Sequence, residues 1–421
     1  MTTQGLATAP SERIPTLDTI RGIALLGILI MNIPAFSGPL FHGGDGPKPW
    51  PMWWEQTAEF TRDLLFAGRF NSMFSMLFGV GFTMQLARLL ERSPDNAYWI
   101  YTRRLLWLLV FGLVHRCIFW AGDILHIYAV LGLVMFLLFH KLSDRAVVGL
   151  IVAMLLSPTV IEVARFALMT PADIEHFVAV MTAMSAADTA ALGHGTFLQA
   201  AWHNAQTAKF MYTDSNTGIL LLGGILQLAA TMLMGLLLGR HDFFRRAGAY
   251  LDAVRRVQWW ALAIGIATGL VFAVWSMTVA NPGLPSPWKV LSRFCFSMCR
   301  VSVTIFYVSL IVRAMYDATW RQRLQPMAIA GRMPLTNYLM QTLICTSIFF
   351  GWGLGLWGKV GPALEILMAF AIFFLVQVPF SKWWLARFEV GPMEYLWRTL
   401  TYGRSASRSM STPSSEAERT A

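Results

Sequence analysis

The sequence has little charge and few cysteines. Asp, Glu, Lys and Arg make up 13% of its 421 residues, whereas hydrophobic residues make up 56%. That charged fraction is about half of what soluble domains carry. No C-x-x-C pair occurs, and each cysteine lies within or at the end of an apolar run: Cys117, Cys295, Cys299 and Cys345. We interpret the cysteines as buried thiols rather than as a disulfide framework or a metal site.

Signatures of soluble nucleotide and hydrolase chemistry are also missing. The sequence contains no P-loop, no dinucleotide-binding glycine pattern that follows a predicted strand, no H-E-x-x-H and no G-x-S-x-G elbow. A net charge of +10 is compatible with nucleic-acid binding, but Lys and Arg stand in short clusters between apolar runs. We therefore expect the lipid bilayer as the partner, with no nucleic acid, no metal ligands and no bound cofactor.

Long apolar runs dominate what is present. A membrane span needs about 20 mostly apolar residues, because no backbone polar group can remain unpaired in hydrocarbon. We predict an all-α fold, a polytopic transmembrane helical bundle of about ten spans. The predicted spans are 17–36, 64–87, 103–120, 124–140, 146–169, 216–239, 257–280, 289–315, 334–353 and 362–381.

The positions of Lys and Arg predict the orientation of the bundle, since positive residues accumulate in cytoplasmic loops. Alternate connections are rich in them, such as the stretches 88–104 and 240–256, whereas the opposite set carries scattered single residues. Both termini are therefore predicted to be cytoplasmic. Small residues at four-residue spacing, such as Ser75, Gly79 and Thr83, predict close helix packing.

The domain organisation follows from these spans. We predict a cytoplasmic N-terminal segment at 1–16, a single transmembrane domain at 17–400 and a disordered cytoplasmic tail at 401–421, which is rich in Ser and Thr. Two long extracytoplasmic loops are predicted near 37–61 and 170–214, and the second is expected to hold a short helix of its own.

Ionisable residues at membrane depth cost about 2.5–3.5 kcal/mol each on insertion scales, so each needs a reason. The first span opens with Asp18 and Arg21, which share a helical face, so that Arg21 can pair with Asp18 or reach lipid phosphate. The alternative is a simple interfacial cap. Asn32 follows at the outer end of the same span.

A hairpin between the third and fourth spans brings together a histidine and a carboxylate. Gly122 supplies the turn, so that His115 and Asp123 face one region. A histidine oriented by a carboxylate is a common general base. His126, one turn beyond Asp123, is a competing partner. The alternative is a structural pair that closes the hairpin.

A polar stripe runs along the eighth predicted span, at Arg293, Ser297, Arg300, Thr304 and Tyr307. Spacings of 4, 3, 4 and 3 place these residues on one helical face. Arg293 and Arg300 lie about 10 Å apart along the helix axis and suit a phosphate or carboxylate group. The alternative is a structural role, in which they pair with Glu162 or Asp123.

Two further groups of polar residues lie near predicted span ends. Asn337, Gln341 and Cys345 stand at four-residue steps in the ninth span, where amides also serve to bond neighbouring helices. Arg69, at the outer start of the second span, adds one more charge on the side of His115.

Four motifs together resemble the YeiB-like family of bacterial inner-membrane proteins, a domain of unknown function. They are LDTIRGIALLGILIMNI at 17–33, HRCIFWAGDIL at 115–125, GRMPLTNYLMQ at 331–341 and GPMEYLWR at 391–398. The resemblance covers nearly the whole chain in order. It implies a multi-pass protein of the bacterial cytoplasmic (inner) membrane.

The opening motif is also similar, more distantly, to transmembrane acyltransferases such as heparan-glucosaminide N-acetyltransferase and the O-acyltransferases of surface polysaccharides. These carry acyl groups from a cytoplasmic CoA donor to an acceptor beyond the membrane. The O-acyltransferases usually have a catalytic His where this chain has Asn32. The glucosaminide enzymes have Asn there and a catalytic His shortly after, and His42 follows Asn32 by ten residues.

The leading hypothesis is a transmembrane acyltransferase with His115 or His42 as the base and Asp123 and Asn32 beside it. Acyl-CoA is the expected donor, and a glycan, lipid or small molecule is the acceptor. The expected substrate and donor contacts are Arg293, Arg300, Arg69, Arg21, Asn337 and Gln341. All these residues are expected to border one internal chamber. A transporter or flippase for an anionic small molecule or lipid, and a non-catalytic scaffold, are the alternatives; the oligomeric state is left open.

Overall fold

The computed structural model describes residues 13–40, 50–278 and 285–403, and these residues contain helices but no strand. His42 and most of the predicted terminal segments 1–16 and 401–421 lie outside the described residues. The longer helices are α1 (Pro15–Asn32), α2 (Trp53–Leu65), α3 (Arg69–Arg92), α4 (Ala97–Val114), α5 (Leu125–Val134), α6 (Asp144–Leu168), α7 (Pro171–Asp188), α8 (Phe197–Thr213), α9 (Ser215–Arg240), α10 (Leu251–Thr278), α11 (Pro287–Ala314), α12 (Gln325–Gly331), α13 (Pro334–Phe349), α14 (Pro362–Ala371) and α15 (Pro392–Tyr402).

Several helices run past these bounds through π-helical turns. α4 continues through His115–Phe119, α5 through Met135–Phe139, and α14 through Ile372–Gln377 to Leu385. Proline starts many of the helices, because its fixed φ suits the first turn and its missing N–H has no partner there. The examples are Pro15, Pro287, Pro334, Pro362 and Pro392.

The all-α membrane architecture is confirmed. Within the described residues, eight helical segments are long and apolar enough to cross a bilayer, and Leu125–Phe139 is a shorter apolar helix. α13 coincides with the predicted span 334–353 but has only 16 residues. Each predicted span therefore corresponds to a helix, while the count of ten spans and the cytoplasmic termini stay predictions.

The predicted extracytoplasmic loop at 170–214 is more ordered than expected. Instead of one short helix it holds α7 and α8, with 18 and 17 residues. Both begin with a capping box, in which Thr170 pairs with Asp173 and Thr196 with Gln199. Such boxes satisfy the free N–H groups of a first helical turn and are readable in sequence.

Close helix contacts hold the bundle together at glycines. Gly79 of α3 lies against the Met232 carbonyl of α9, and Gly235 of α9 lies against the Met76 carbonyl of α3. A side chain at either glycine would collide with the opposite backbone. The predicted packing role of the four-residue spacing is confirmed, and it fixes α3, which forms one wall of the cavity described below.

Candidate functional site

The hairpin between α4 and α5 carries a buried histidine–carboxylate cluster. Nδ1 of His115 lies 2.8 Å from Oδ1 of Asp123, and Nδ1 of His126 lies 3.0 Å from Oδ2 of the same carboxylate. The backbone N–H of His126 also donates to Oδ2, at 3.2 Å. His115 begins the π-helical turn, a distortion that is frequent at functional sites.

Asp123 is held as an anion by this arrangement. The carboxyl lies in the turn between the helices and is 2% exposed. Burial by itself raises its pKa, but hydrogen bonds and charge from His115 and His126 prevail and lower the pKa to about 2. Asp123 therefore stays ionised and can hold a proton on Nδ1 of a neighbouring imidazole.

The two histidines differ in their second ring nitrogen. Nε2 of His126 lies 2.6 Å from the hydroxyl of Tyr212 and 3.5 Å from Nη1 of Arg116. Nε2 of His115 is buried and has no hydrogen-bond partner among the described residues. With Asp123 on its other nitrogen, His115 is the histidine with a nitrogen available to accept a proton.

Helix α8 closes one side of the cluster. Tyr212 reaches His126, and the Sδ atom of Met211 accepts a hydrogen bond from Nη2 of Arg116 at 3.0 Å. Asn204 accepts a hydrogen bond from the backbone N–H of Ala121 at 3.2 Å. The predicted extracytoplasmic segment thus contributes directly to the site, a contact that sequence reasoning missed.

A cavity of about 320 Å³ approaches the cluster from the predicted cytoplasmic side. The mouth of the cavity is basic, with six arginines and two carboxylates, Asp18 and Glu394. The arginines are Arg13, Arg21, Arg88, Arg104, Arg332 and Arg398. Along α3 the lining runs from Arg88 to Phe74, which is about 21 Å at the helical rise.

The walls and the inner end of the cavity are mostly apolar. The wall includes Leu25, Leu77 and Leu108, and the inner end includes Tyr128 and Tyr338. The hydroxyl of Tyr338 lies 3.4 Å from Oδ1 of Asp123. The cavity therefore connects a positively charged mouth to the neighbourhood of the His115–Asp123 pair.

Helix α15 is part of the basic end. Oε1 of Glu394 accepts hydrogen bonds from the backbone N–H groups of Leu335 and Thr336, at 2.7 and 3.1 Å, and so caps α13. Burial raises the pKa of Glu394, while hydrogen bonds from Thr336 oppose that shift. The guanidinium of Arg104 lies 3.6 Å from the ring centroid of Trp397. These contacts fix the mouth and the start of the helix that carries Tyr338.

Arg21 is the predicted donor contact that lines the cavity, where its Nη1 lies 2.8 Å from Oδ1 of Asp18. The cavity lining includes neither the predicted catalytic residues of the described part of the chain nor the other predicted donor contacts: His115, Asp123, Asn32, Arg69, Arg293, Arg300, Asn337 and Gln341. The expectation that all of them border one chamber is therefore wrong. Their roles in binding stay predictions.

The arginines of the predicted stripe occupy separate polar clusters. Arg300 donates to Gln227 Oε1 at 3.0 Å and to the Ser72 hydroxyl, and Thr304 donates to the Arg69 carbonyl at 3.0 Å. Nη2 of Arg69 lies 2.8 Å from the thiol of Cys299. Nε of Arg293 lies 3.9 Å from Glu162, as the structural alternative predicted.

The predicted amides bond neighbouring helices. Nδ2 of Asn337 donates to the Ala330 carbonyl at 2.9 Å, and Nε2 of Gln341 donates to the Leu25 carbonyl at 3.1 Å and to Gln377 at 3.0 Å. This favours the structural reading of both. Asn32 is half-buried at the end of α1, about 6 Å along the helix beyond Ile28 of the cavity wall.

Sequence reasoning missed several residues that form this cavity. Arg88, Arg104 and Arg332 were used only as markers of the cytoplasmic side. Tyr128 and Tyr338 gave no polar signal, because tyrosine is common in apolar helices. The available signal was that arginine clusters and the opening motif fall at the same predicted membrane face.

Comparisons with known proteins relate this chain to proteins of unknown function. A family model described as a protein of unknown function, DUF418, matches residues 238–404. The uncharacterized protein YxaH of Bacillus subtilis is 30% identical over 407 residues, which cover 94% of this chain and 96% of the relative. The uncharacterized protein YeiB of Escherichia coli is 30% identical over 419 residues, with 93% and 96% covered.

Proposed function

Because this chain belongs to the YeiB-like family, whose members are named without an activity, we propose its function from geometry: a transmembrane acyltransferase of the bacterial inner membrane. The proposed enzyme takes an acyl group from acyl-CoA on the cytoplasmic side and transfers it to an extracytoplasmic acceptor. One observation carries the proposal, namely a cavity that leads from an arginine-rich mouth to Tyr338, whose hydroxyl lies 3.4 Å from Oδ1 of Asp123.

The cavity matches the chemistry of an acyl-CoA donor. Phosphate groups bind guanidinium groups strongly, because the planar donors fit phosphate oxygens and carry the opposite charge. The mouth supplies such groups from Arg21, Arg332 and Arg398. The uncharged arm and the acyl group then extend along the apolar walls, which suit uncharged chains of methylene and amide groups.

His115 is the proposed general base. Its Nε2 accepts the proton of an acceptor hydroxyl or amine, whose oxygen or nitrogen attacks the thioester carbonyl. The carbon–sulfur bond breaks, and the leaving thiolate takes the proton from Nε2. Asp123 holds the proton on Nδ1 and stabilises the imidazolium that forms between these steps. The free Nε2 supports His115 in this role, and His42 stays the alternative base.

Membrane vesicles from expressing cells keep the native acceptors and allow a direct assay. Supplied with acetyl-CoA on the cytoplasmic face, wild-type vesicles should release free CoA and retain the acetyl group on an acceptor. We expect His115→Ala to lower the rate by about 10²-fold or more, because a general base contributes at least that much. His241→Ala is the matched control, since that imidazole is exposed and pairs with Asp144.

A double variant tests both candidate bases together. If His115→Ala combined with His42→Ala still transfers acetyl groups at the wild-type rate, the acyltransferase proposal is abandoned. The rival function is a transporter or flippase for an anionic small molecule or lipid, which the same charged mouth and apolar depth support. Movement of an anionic lipid across the vesicle membrane, with no consumption of acetyl-CoA, favours the rival.

A further inference from the structure

A second group of buried ionisable side chains lies where α6 packs against α11. Glu162 and Arg165 are near the C-terminal end of α6, and Lys289 and Arg293 are near the N-terminal end of α11. Nη1 of Arg165 lies 3.2 Å from Glu162 Oε1, and Nε of Arg293 lies 3.9 Å from its Oε2. Both helix ends belong to the predicted outer side of the membrane.

Positive charge exceeds negative charge in this group. Arg165, Arg293 and Lys289 gather around one fully buried carboxylate, Glu162. Arg165 is only 6% exposed, and its Nε and Nη2 atoms are buried without a hydrogen-bond partner among the described residues. Buried donors on a charged group are costly to leave unpaired. A second anion beside Glu162 would satisfy both nitrogens.

The surroundings identify the source of that anion. On α6, Val163 and Phe166 stand next to the charged positions and are about half exposed, at 49% and 48%. On α11, Leu291 and Phe294 are similarly exposed, at 42% and 38%. In a membrane protein such apolar surfaces contact lipid. The Arg293 side chain is 31% exposed and can be reached from that surface.

We propose that Arg165, Arg293 and Lys289 bind the phosphate group of an outer-leaflet phospholipid. The acyl chains then lie against the apolar faces of α6 and α11, while the phosphate oxygens accept hydrogen bonds from Nε and Nη2 of Arg165. Guanidinium groups bind phosphate by this geometry, and the position near the helix ends matches the level of lipid headgroups. The proposal is independent of the acyltransferase function.

Native mass spectrometry of the full chain in detergent measures this binding directly. Titrated with phosphatidylglycerol, the wild-type chain should hold one tightly bound lipid. The Arg165→Gln, Arg293→Gln double variant should bind it at least tenfold more weakly. Arg145→Gln is the matched control, because that exposed arginine lies at the opposite end of α6. The affinity of this variant for phosphatidylglycerol should stay within twofold of wild type.

Further measurements test whether the site requires a phosphate group and whether that phosphate belongs to a lipid. Diacylglycerol, which lacks phosphate, should not compete for the site, and equal competition by it overturns the proposal. Inorganic phosphate should raise the melting temperature of the wild type less than phosphatidylglycerol does; an equal or larger rise overturns the lipid assignment. Unchanged phosphatidylglycerol binding in a folded double variant overturns the proposal. If that variant does not fold, the single variant Arg293→Gln decides, because that side chain is partly exposed, and a threefold or greater loss of affinity is expected.

Discussion

Within the described residues, Asp123 and Asp188 are two buried carboxylates that pair with histidine, and the two pairs differ in their surroundings. In the first, His115 holds Asp123 through Nδ1, and its Nε2 has no partner among the described residues. In the second, Nε2 of His203 lies 2.7 Å from Asp188, and the hydroxyl of Thr207 lies 3.4 Å from the same nitrogen. In each pair one ring nitrogen of the histidine faces the carboxylate, so the composition of the pair alone does not distinguish them.

The neighbours of the two carboxylates distinguish the pairs. The second oxygen of Asp188 accepts a hydrogen bond from the backbone N–H of Leu40, so the pair joins α7, α8 and the segment after α1. Asp123 instead lies beside Tyr338 at the inner end of the cavity. We therefore expect chemistry at a buried His–Asp pair only where a cavity brings a substrate close to it. Otherwise it is a structural bond between segments.

The largest expected difference comes from replacing each carboxylate by its amide. Asp123→Asn should lower acetyl transfer in vesicles by about 10²-fold or more, because an amide does not stabilise the imidazolium that His115 becomes. Asp188→Asn should leave the rate per folded molecule within about twofold. The measurement is CoA release, normalised to folded protein by size-exclusion chromatography. Equal losses in both variants would contradict the distinction between the pairs.

The stability of the protein in acid tests whether Asp123 is ionised in the folded state. The pKa of Asp123 is lowered from 3.8 to about 2, which corresponds to about 2 kcal/mol of stability above pH 4. That contribution is present while the unfolded carboxyl is ionised, and it is lost as the pH falls from about 4 towards 2. The stability gap between wild type and Asp123→Asn, measured by unfolding in detergent, should therefore narrow over that window. A gap that stays constant with pH contradicts the ionised, histidine-bonded state of Asp123.

Access to the first pair is tested at the cavity mouth. Arg332→Gln removes a charged donor from the mouth and should raise the Kd for acetyl-CoA about tenfold, since a hydrogen bond to a charged group contributes about 1.5 kcal/mol. Isothermal titration in detergent measures the change, which should shrink at high salt. His203→Gln should bind acetyl-CoA as tightly as wild type. An unchanged Kd in Arg332→Gln would argue against the mouth as the donor site.

The sequence predicts the helices and the His115–Asp123 contact well, for physical reasons. The length of an apolar run decides which segments enter a bilayer. A separation of eight residues across a tight hairpin brings the two side chains close together. It does not predict which helices meet. The stripe at Arg293 and Arg300 was assigned to the same chamber as His115 because both lie at membrane depth. The packing of α6, α9 and α11 instead places these arginines against Glu162 and Gln227.

The smallest expected effect concerns α8, which carries one residue of the second pair and one neighbour of His126. His203 and Tyr212 lie on this helix, and Thr196 caps its N-terminus by accepting a hydrogen bond from the Gln199 backbone N–H at 3.4 Å. Thr196→Ala should lower the free energy of unfolding by about 1 kcal/mol, a typical value for a lost cap. Acetyl-CoA affinity should not change, because α8 does not line the cavity. Thr170→Ala, which uncaps α7, is the matched control for stability alone. A transfer rate that falls in Thr196→Ala but not in Thr170→Ala would show that the Tyr212 contact to His126 helps to hold the first pair in place.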